Sequence, residues 1–321
     1  MNRLLSTAVA LLAFALPQML LAQTYPNKPI RVVIPYAAGG GGDIVGRSIG
    51  AKLSEAWGQQ ILIDNKPGAG GNIGTEFVAK SAPDGYTLLL ATDIQMAINP
   101  HVYKSLPFNP DRDFAFVVQA AFIEFLLSVH PSIPANNLTE LIAHLKANPG
   151  KYSYASSGYG STHHLSMELL KSMTGIDTVH VPYKGSGQML PDLISGQVQL
   201  AFTGIPQTMP HVRGGKLKAI AVGSAKRLDA APGVPAIAET LPGFEANASW
   251  NYFAPAGTPR EIVMQLNVEI NRILQLDDIR ERFISQGLII IGGAPERLAE
   301  RMKSDYVKWG KVVKDIGLKV E

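Results

Sequence analysis

The sequence predicts an α/β protein of two domains with a ligand cleft between them, on three observations. Short β-branched runs alternate with segments of helical periodicity from Ile30 onward, which calls for a parallel-rich sheet flanked by helices. The series occurs twice, with proline-bearing crossings near Pro131 and Pro134 and again from Pro232 to Pro242. Roughly 300 residues beyond the N-terminal segment exceed a comfortable single core. The economical arrangement has the chain leave the first domain and return to complete it: residues 23–124 with 250–321, and 125–249.

The first residues read as an export signal. Arg3 precedes an almost wholly apolar run over 4–16, followed by Pro17 and a further apolar stretch to Ala22, so cleavage would leave Gln23 first. Ser6, Thr7, Pro17 and Gln18 interrupt the run too often for a permanent membrane span, and no later stretch offers one. The expectation is an exported, periplasmic, soluble chain. The absence of cysteine excludes disulfides, thiolate metal sites and a lipid-modified N-terminal cysteine. A formal charge of +3, one lower once Arg3 is removed, argues against a nucleic-acid partner, which needs a clustered basic face.

In order, Ile30-Arg-Val-Val-Ile is a buried strand that ends at Pro35 and opens through four glycines, Gly39 to Gly42, into a helix expected from Asp43. Residues 61–64 form a strand, a second glycine loop leads to a helix at Asn72, and residues 86–91 form a third strand ending at Thr92 and Asp93. Two apolar runs over 114–129 suit a crossing. Asn137 with Glu140 reads as a capping box for a helix ending near Ala147. Strands are expected at 152–155, 179–181, 198–202 and 217–222, with helices after residues 162 and 188. Residues 250–259 look like the return crossing. Helices over 260–274, 279–285 and 295–313, with a strand at 288–291, close the chain.

Three strand-to-helix loops are built from glycines, small residues and hydroxyls: 37–43, 156–162 and 183–187. Such loops offer amides, Oγ atoms and helix N-termini to a carboxylate without a buried counter-charge. Two phosphate loops also put glycines between strand and helix. The dinucleotide fingerprint fails, because Ile44 or Val45 stands where its third glycine belongs, and the triphosphate loop has Arg47 in place of lysine. A tight turn without ligand is the plain alternative, and Ser161 and Thr162 read equally well as N-caps. Enzyme signatures are poor: there is no nucleophile elbow and no zinc helix. His163, His164 and Glu168 fall short of a metal-ligand set, and Ser161 beside the histidines lacks an orienting acid. Neither metal, cofactor nor catalytic residue is expected.

Several ordered motifs also resemble a known family. Tyr25-Pro-Asn-Lys-Pro-Ile-Arg31, Pro35-Tyr-Ala-Ala-Gly-Gly-Gly-Gly-Asp43, Asn65-Lys-Pro-Gly-Ala-Gly-Gly-Asn72, Ala82-Pro-Asp-Gly-Tyr-Thr-Leu-Leu89, His180-Val-Pro-Tyr-Lys-Gly185 and Phe253-Ala-Pro-Ala-Gly-Thr-Pro259 are similar to those of the Bug receptors, the substrate-binding proteins of tripartite tricarboxylate transporters. The resemblance implies a two-domain periplasmic binding protein of type II, a monomer that closes on a small organic carboxylate and delivers it to membrane permease subunits. It places the carboxylate at Tyr36, Ala37, Ala38, Gly39, Gly40 and Gly41, with Asp43 opening the helix. Second-domain contacts fall on Ser156, Ser157, Gly160, Ser161 and Thr162, with Tyr183, Lys184 and Gly185 close by. The sequence departs from the family pattern at Gly42, at Asp93 and at Thr203; Thr92, Asp93 and Thr203 complete the expected site, Asp93 at the mouth of the cleft, although Asp93 equally suits a helix cap. A sensor of the same fold feeding a signalling partner, and more remotely a hydrolase or nucleotide-binding enzyme, remain open alternatives.

Overall fold

The computed structural model describes residues 25–183 and 188–318, so the segment expected to be an export signal, Lys184 and Gly185 lie outside the described residues. Strand β1 (Ile30–Ile34) is covered on both faces, and Ile30, Val32, Val33 and Ile34 are fully buried; that is why the run is continuously apolar and not alternating. The chain proceeds through α1 (Gly41–Trp57), β2 (Ile61–Asn65), α2 (Asn72–Ala79) and β3 (Thr87–Ala91). A π-helical turn over Ile94–Ile98 and α3 (Asn99–Val102) follow.

Residues 114–129, expected as two runs at a crossing, form one strand of 16 residues, β4 (Phe114–Val129). Gln119 and Glu124 interrupt the apolar pattern, yet both are buried within it. The second lobe then takes shape from α4 (Leu138–Lys146), β5 (Ser153–Ser156), α5 (Thr162–Thr174), β6 (Val179–Pro182), α6 (Met189–Ser195), β7 (Leu200–Gly204), α7 (Ile205–Arg213) and β8 (Lys218–Val222). The chain returns along β9 (Asn247–Pro255) and ends with α8 (Arg260–Leu274), α9 (Asp277–Ser285), β10 (Leu288–Ile290) and α10 (Pro295–Asp315). Asn137 caps α4 by accepting the Glu140 amide at 2.9 Å, while Glu140 reaches back to the Asn136 amide at 2.8 Å.

The strands form one curled sheet in the order β2-β1-β3-β9-β4-β7-β5-β6, with β8 and β10 also paired to β4. Its two outer thirds, β2-β1-β3 and β7-β5-β6, are parallel, and its centre is antiparallel. Strand β4 is the seam: Phe114 to Glu124 pair with β9, and Phe125 to Val129 pair with β7. Each lobe therefore points the carboxyl ends of its parallel strands at the other, where open α/β sheets bind ligands. The first core gathers Val45, Leu88, Tyr252, Leu266 and Phe283, the second Leu127, Leu141, Tyr154, Leu165 and Phe202. Helix α10 serves both lobes. Its Leu298 and Met302 pack with Val33 and Phe253, whereas Trp309, Val312 and Val313 join the second core.

Candidate functional site

One cavity of about 870 Å³ lies between the lobes. Its first-lobe wall starts at the end of β1, where the chain is held from three sides. The Asn65 amide donates to the Tyr36 carbonyl at 3.0 Å, the Tyr36 hydroxyl meets Thr92 Oγ1 at 2.7 Å, and Gln95 Nε2 donates to Tyr36 Oη at 2.8 Å and to the Gly70 carbonyl at 2.8 Å. Burial pushes the Tyr36 phenol up to about 12, so it stays neutral.

Helix α1 begins two residues earlier than expected, at Gly41, with Gly40 as N-cap. The glycines have different reasons. Gly39 sits at φ +87, a backbone that side chains rarely adopt. Gly41 and Gly42 are helical, and Trp250 lies over them: a Cβ on Gly42 would come within 2.5 Å of Trp250 Cζ3, and one on Gly41 within 3.3 Å of the indole nitrogen. Gly40 has no atom closer than the Ala37 carbonyl oxygen, 3.8 Å away. No side chain caps this helix. Its first-turn amides therefore lie at the cavity wall with the dipole behind them, and Trp250 Nε1 beside them is a buried donor without a partner.

Asp43 does not line the cavity. Its Oδ2 accepts the Gly39 amide at 3.2 Å and Arg47 Nε at 2.9 Å, so it braces the loop from behind. The Arg47 hydrogen bond holds its carboxyl below the usual carboxylate range. Ala38 and Gly39 are exposed loop residues outside the wall, whereas Tyr36, Ala37, Gly40, Gly41 and Thr92 line it.

The second-lobe wall follows β5. Ser157, Gly160, Ser161 and Thr162 line the cavity, and this helix end carries its own side-chain cap. Ser161 is the N-cap of α5: its Oγ accepts the His164 amide at 3.3 Å and donates to the Gly158 carbonyl at 2.7 Å. His164 Nδ1 accepts the Gly160 amide at 3.1 Å. Behind the loop, His164 and His180 stack at 4.1 Å between ring centroids, with Tyr154 stacked on His180 and Tyr159 edge-on to both histidines. Burial pushes His180 and His163 down to about 4, so both rings are neutral near pH 7.

Three further expected contacts turn away from the cavity. The Ser156 hydroxyl is buried against His180 Nε2 at 2.6 Å, and the Tyr183 hydroxyl donates to Asp192 at 2.7 Å. Asp93, expected at the cleft mouth, is buried under β9, where its Oδ1 accepts the Ser249 amide at 3.1 Å. Thr203 lines the wall, with its hydroxyl bonded to Ser128 Oγ at 2.9 Å. Glu168 is taken up by Tyr154 and Lys171, and His163 by Ser157. Among the described residues no group of three or more His, Asp or Glu could hold a metal ion.

Sequence reasoning missed Trp250, Phe125, Met189, Leu190 and Gln207, which also line the cavity. Met189 and Leu190 open the helix that follows the expected 183–187 loop, and Gln207 lies in the first turn of the helix that follows Thr203, so those three had a nearby signal.

The profile described as "Tripartite tricarboxylate transporter family receptor" matches residues 45–318. Protein BugT of Bordetella pertussis is 35% identical over 302 residues, 94% of this chain and 93% of that protein. Among solved structures, R. palustris Rpa4515 with adipate superposes at a TM-score of 0.81 with 37% identity, covering 92% of this chain and 100% of that one. MatC from Rhodopseudomonas palustris with bound malate gives 0.77 and 33%, covering 90% and 100%. Described residues include no helix long and apolar enough to cross a membrane. With a matched profile over most of its length and relatives 35% and 37% identical over 94% and 92% of it, the chain belongs to the receptor family of the tripartite tricarboxylate transporters.

Proposed function

We propose that this protein is an exported receptor that closes its two lobes on a small organic carboxylate, turns nothing over, and delivers the ligand as a monomer to membrane permease subunits of a tripartite transporter. The single observation that carries this reading is the uncapped α1 N-terminus, facing the hydroxyl-bearing Ser157–Thr162 wall across one cavity. Backbone amides and a helix dipole compensate one carboxylate without a lysine or arginine. The solved relatives with adipate and malate support the same ligand chemistry.

In this reading one carboxylate sits on the amides of residues 37–41, and closure brings Ser157, Gly160, Ser161 and Thr162 over it. The moving units are 23–124 with 250–321, and 125–249. The change of partner in β4 between Glu124 and Phe125 supports the first boundary. Neither wall alone surrounds a ligand, so binding favours the closed state. The test is a thermal-shift screen of small organic acids on refolded, ligand-free mature protein. A ligand at a hundred times its dissociation constant adds about 2.7 kcal/mol of stability. A panel that moves the melting temperature nowhere rejects the receptor reading; catalytic loss of an acid from the mixture rejects a pure binding role.

A further inference from the structure

We propose that Thr208 is a ligand-contacting residue: its hydroxyl binds an oxygen of the ligand remote from the carboxylate held at α1, so that acids with a second oxygen function bind better than plain acids of the same skeleton. The proposal rests on the receptor reading above and adds to it a residue and a selectivity.

Helix α7 starts where β7 reaches the cavity, and Thr203, Gly204, Gln207 and Thr208 all belong to the wall there. Thr208 is fully buried, and its Oγ1 has no hydrogen-bond partner. Among the described residues, two of the buried side-chain polar atoms left without a partner belong to the cavity wall: Trp250 Nε1 in the first lobe and Thr208 Oγ1 in the second. The indole nitrogen stands beside the first turn of α1 and belongs with the carboxylate. The Thr208 hydroxyl is left for another part of the ligand.

A helical threonine has a ready acceptor of its own, the carbonyl four residues back. Three other buried helical hydroxyls take it: Thr75 donates to Gly71 at 2.9 Å, Ser166 to Thr162 at 2.7 Å and Thr174 to Leu170 at 2.6 Å. Thr208 would turn to Gly204, and it does not. Nearby hydroxyls of the same wall are partnered, Ser157 with His163, Ser161 with the Gly158 carbonyl and Thr203 with Ser128. In a wall that also carries the buried Phe125 and Met189, a hydroxyl left unbonded costs stability, and a ligand oxygen that completes its bond gains affinity. A hydroxyl donates to a carbonyl or carboxylate and accepts from another hydroxyl, so each of these oxygens suits it. Gly204 makes room for a companion group: a Cβ there would collide with Gln207 Oε1, and the Gln207 amide adds a neutral donor and acceptor to the wall.

The experiment titrates two matched series into refolded, ligand-free mature protein by calorimetry near neutral pH: hexanoate, 6-hydroxyhexanoate and adipate, and benzoate, 4-hydroxybenzoate and terephthalate. In at least one series the wild type should bind an oxygen-bearing member about fivefold tighter than the plain acid, the worth of one hydrogen bond. Thr208→Val, which keeps the side-chain shape, should bring that ratio to within about twofold while leaving the plain acid's affinity unchanged. Thr208→Ser should restore the preference. Without ligand, Thr208→Val should unfold at a higher urea concentration than the wild type, because an unsatisfied buried hydroxyl has been removed; a hydroxyl with a merely structural bond would give the opposite shift. A preference that survives in Thr208→Val, a wild type with no preference in either series, or a Thr208→Val protein less stable than the wild type overturns the proposal and leaves a carboxylate receptor in place. If no acid of any kind binds, the receptor reading fails and this inference with it.

Discussion

Helices α1 and α5 start from equivalent places, each after the carboxyl end of a parallel strand and each at the wall of the same cavity, yet they finish their first turns in opposite ways. In α5 the chain supplies its own acceptor, Ser161, and a stacked set of aromatic and imidazole rings backs the loop. In α1 there is no such acceptor. Glycines replace side chains, Trp250 packs over them, and Asp43 and Arg47 pair behind the loop. A helix end left uncapped against a cavity forgoes stability, of the order of 1 kcal/mol, that a serine or aspartate would supply. The difference is that α5 gives one of its first-turn amides to a side chain of its own, whereas α1 has no side-chain acceptor for any of its first-turn amides.

Substitutions at neighbouring glycines break this comparison most severely. Gly42→Val would drive its Cβ into Trp250 at 2.5 Å and Ile34 at 3.1 Å, both buried. Overpacking of this kind costs about 1–3 kcal/mol. Urea unfolding should show a lowered midpoint with unchanged slope, and binding should fall together with stability. A midpoint equal to that of the wild type would mean that Trp250 does not hold the helix end in solution.

Gly40→Val, two residues away, should separate the two properties. Its backbone is extended, at φ −85 and ψ −179, and its nearest neighbour is 3.8 Å off, so a side chain fits the fold. That side chain would project at the helix end, where the carboxylate is proposed to sit. Binding should weaken more than tenfold, about 1.4 kcal/mol, with the unfolding midpoint unmoved. Full-affinity binding by this folded variant would remove α1 from the site.

Ser161→Ala sharpens the other side. If the hydroxyl serves α5 itself, the loss appears as stability, about 1 kcal/mol, and ligand affinity changes less than twofold. A variant that melts like the wild type but binds tenfold worse would show that the two helix ends are alike after all, both facing ligand.

These two ends also mark how far the sequence could be read. The glycine run, the hydroxyl loop and the Asn137 capping box are local features, and the residues that make them are adjacent in the chain. Their positions were therefore legible to within two residues. Trp250 and Phe125 were not, because strand pairing brings them to the cavity. Ala121 pairs with Trp250 and Phe125 with Gly204, across sequence separations that no local pattern encodes. Strand β4 was hidden for the same reason: its halves have different partners, and only the assembled sheet joins them. Asp43, Ser156 and Tyr183 were the right residue types at the right loops, but which way a side chain turns depends on Arg47, His180 and Asp192, the partners waiting behind each one.

Asp93 gives the smallest expected effect on binding and the finest test of the comparison, because it too lies at the end of a first-lobe parallel strand, next to Thr92 in the cavity wall. Its carboxylate faces away, into the seam where α10 meets β9. There it accepts the Ser249 amide and feels Asp305, Arg301 and Lys308. Arg301 and Lys308 are both bonded to Asp305, at 2.6 and 3.0 Å, and Arg301 also to Glu245 at 3.0 Å, so little positive charge is left for Asp93. Burial and the Asp305 charge raise its carboxyl from 3.8 to about 6. A carboxyl raised on folding binds its proton more tightly in the native state, so its contribution is fully present below about 3.8 and is lost as pH rises toward about 6. Asp93→Asn keeps an acceptor for Ser249 and removes that loss. The variant should rank ligands as the wild type does, with affinities within twofold, and its stability should decline less between about pH 4 and pH 6 in urea titrations. Glu124, raised in the same sense to about 8 by burial and Glu245, supplies a remaining slope at higher pH in both proteins. A changed rank order of ligands in Asp93→Asn would place this side chain at the cavity and make the end of β3, alongside the end of β1, an open ligand-facing element of the first lobe.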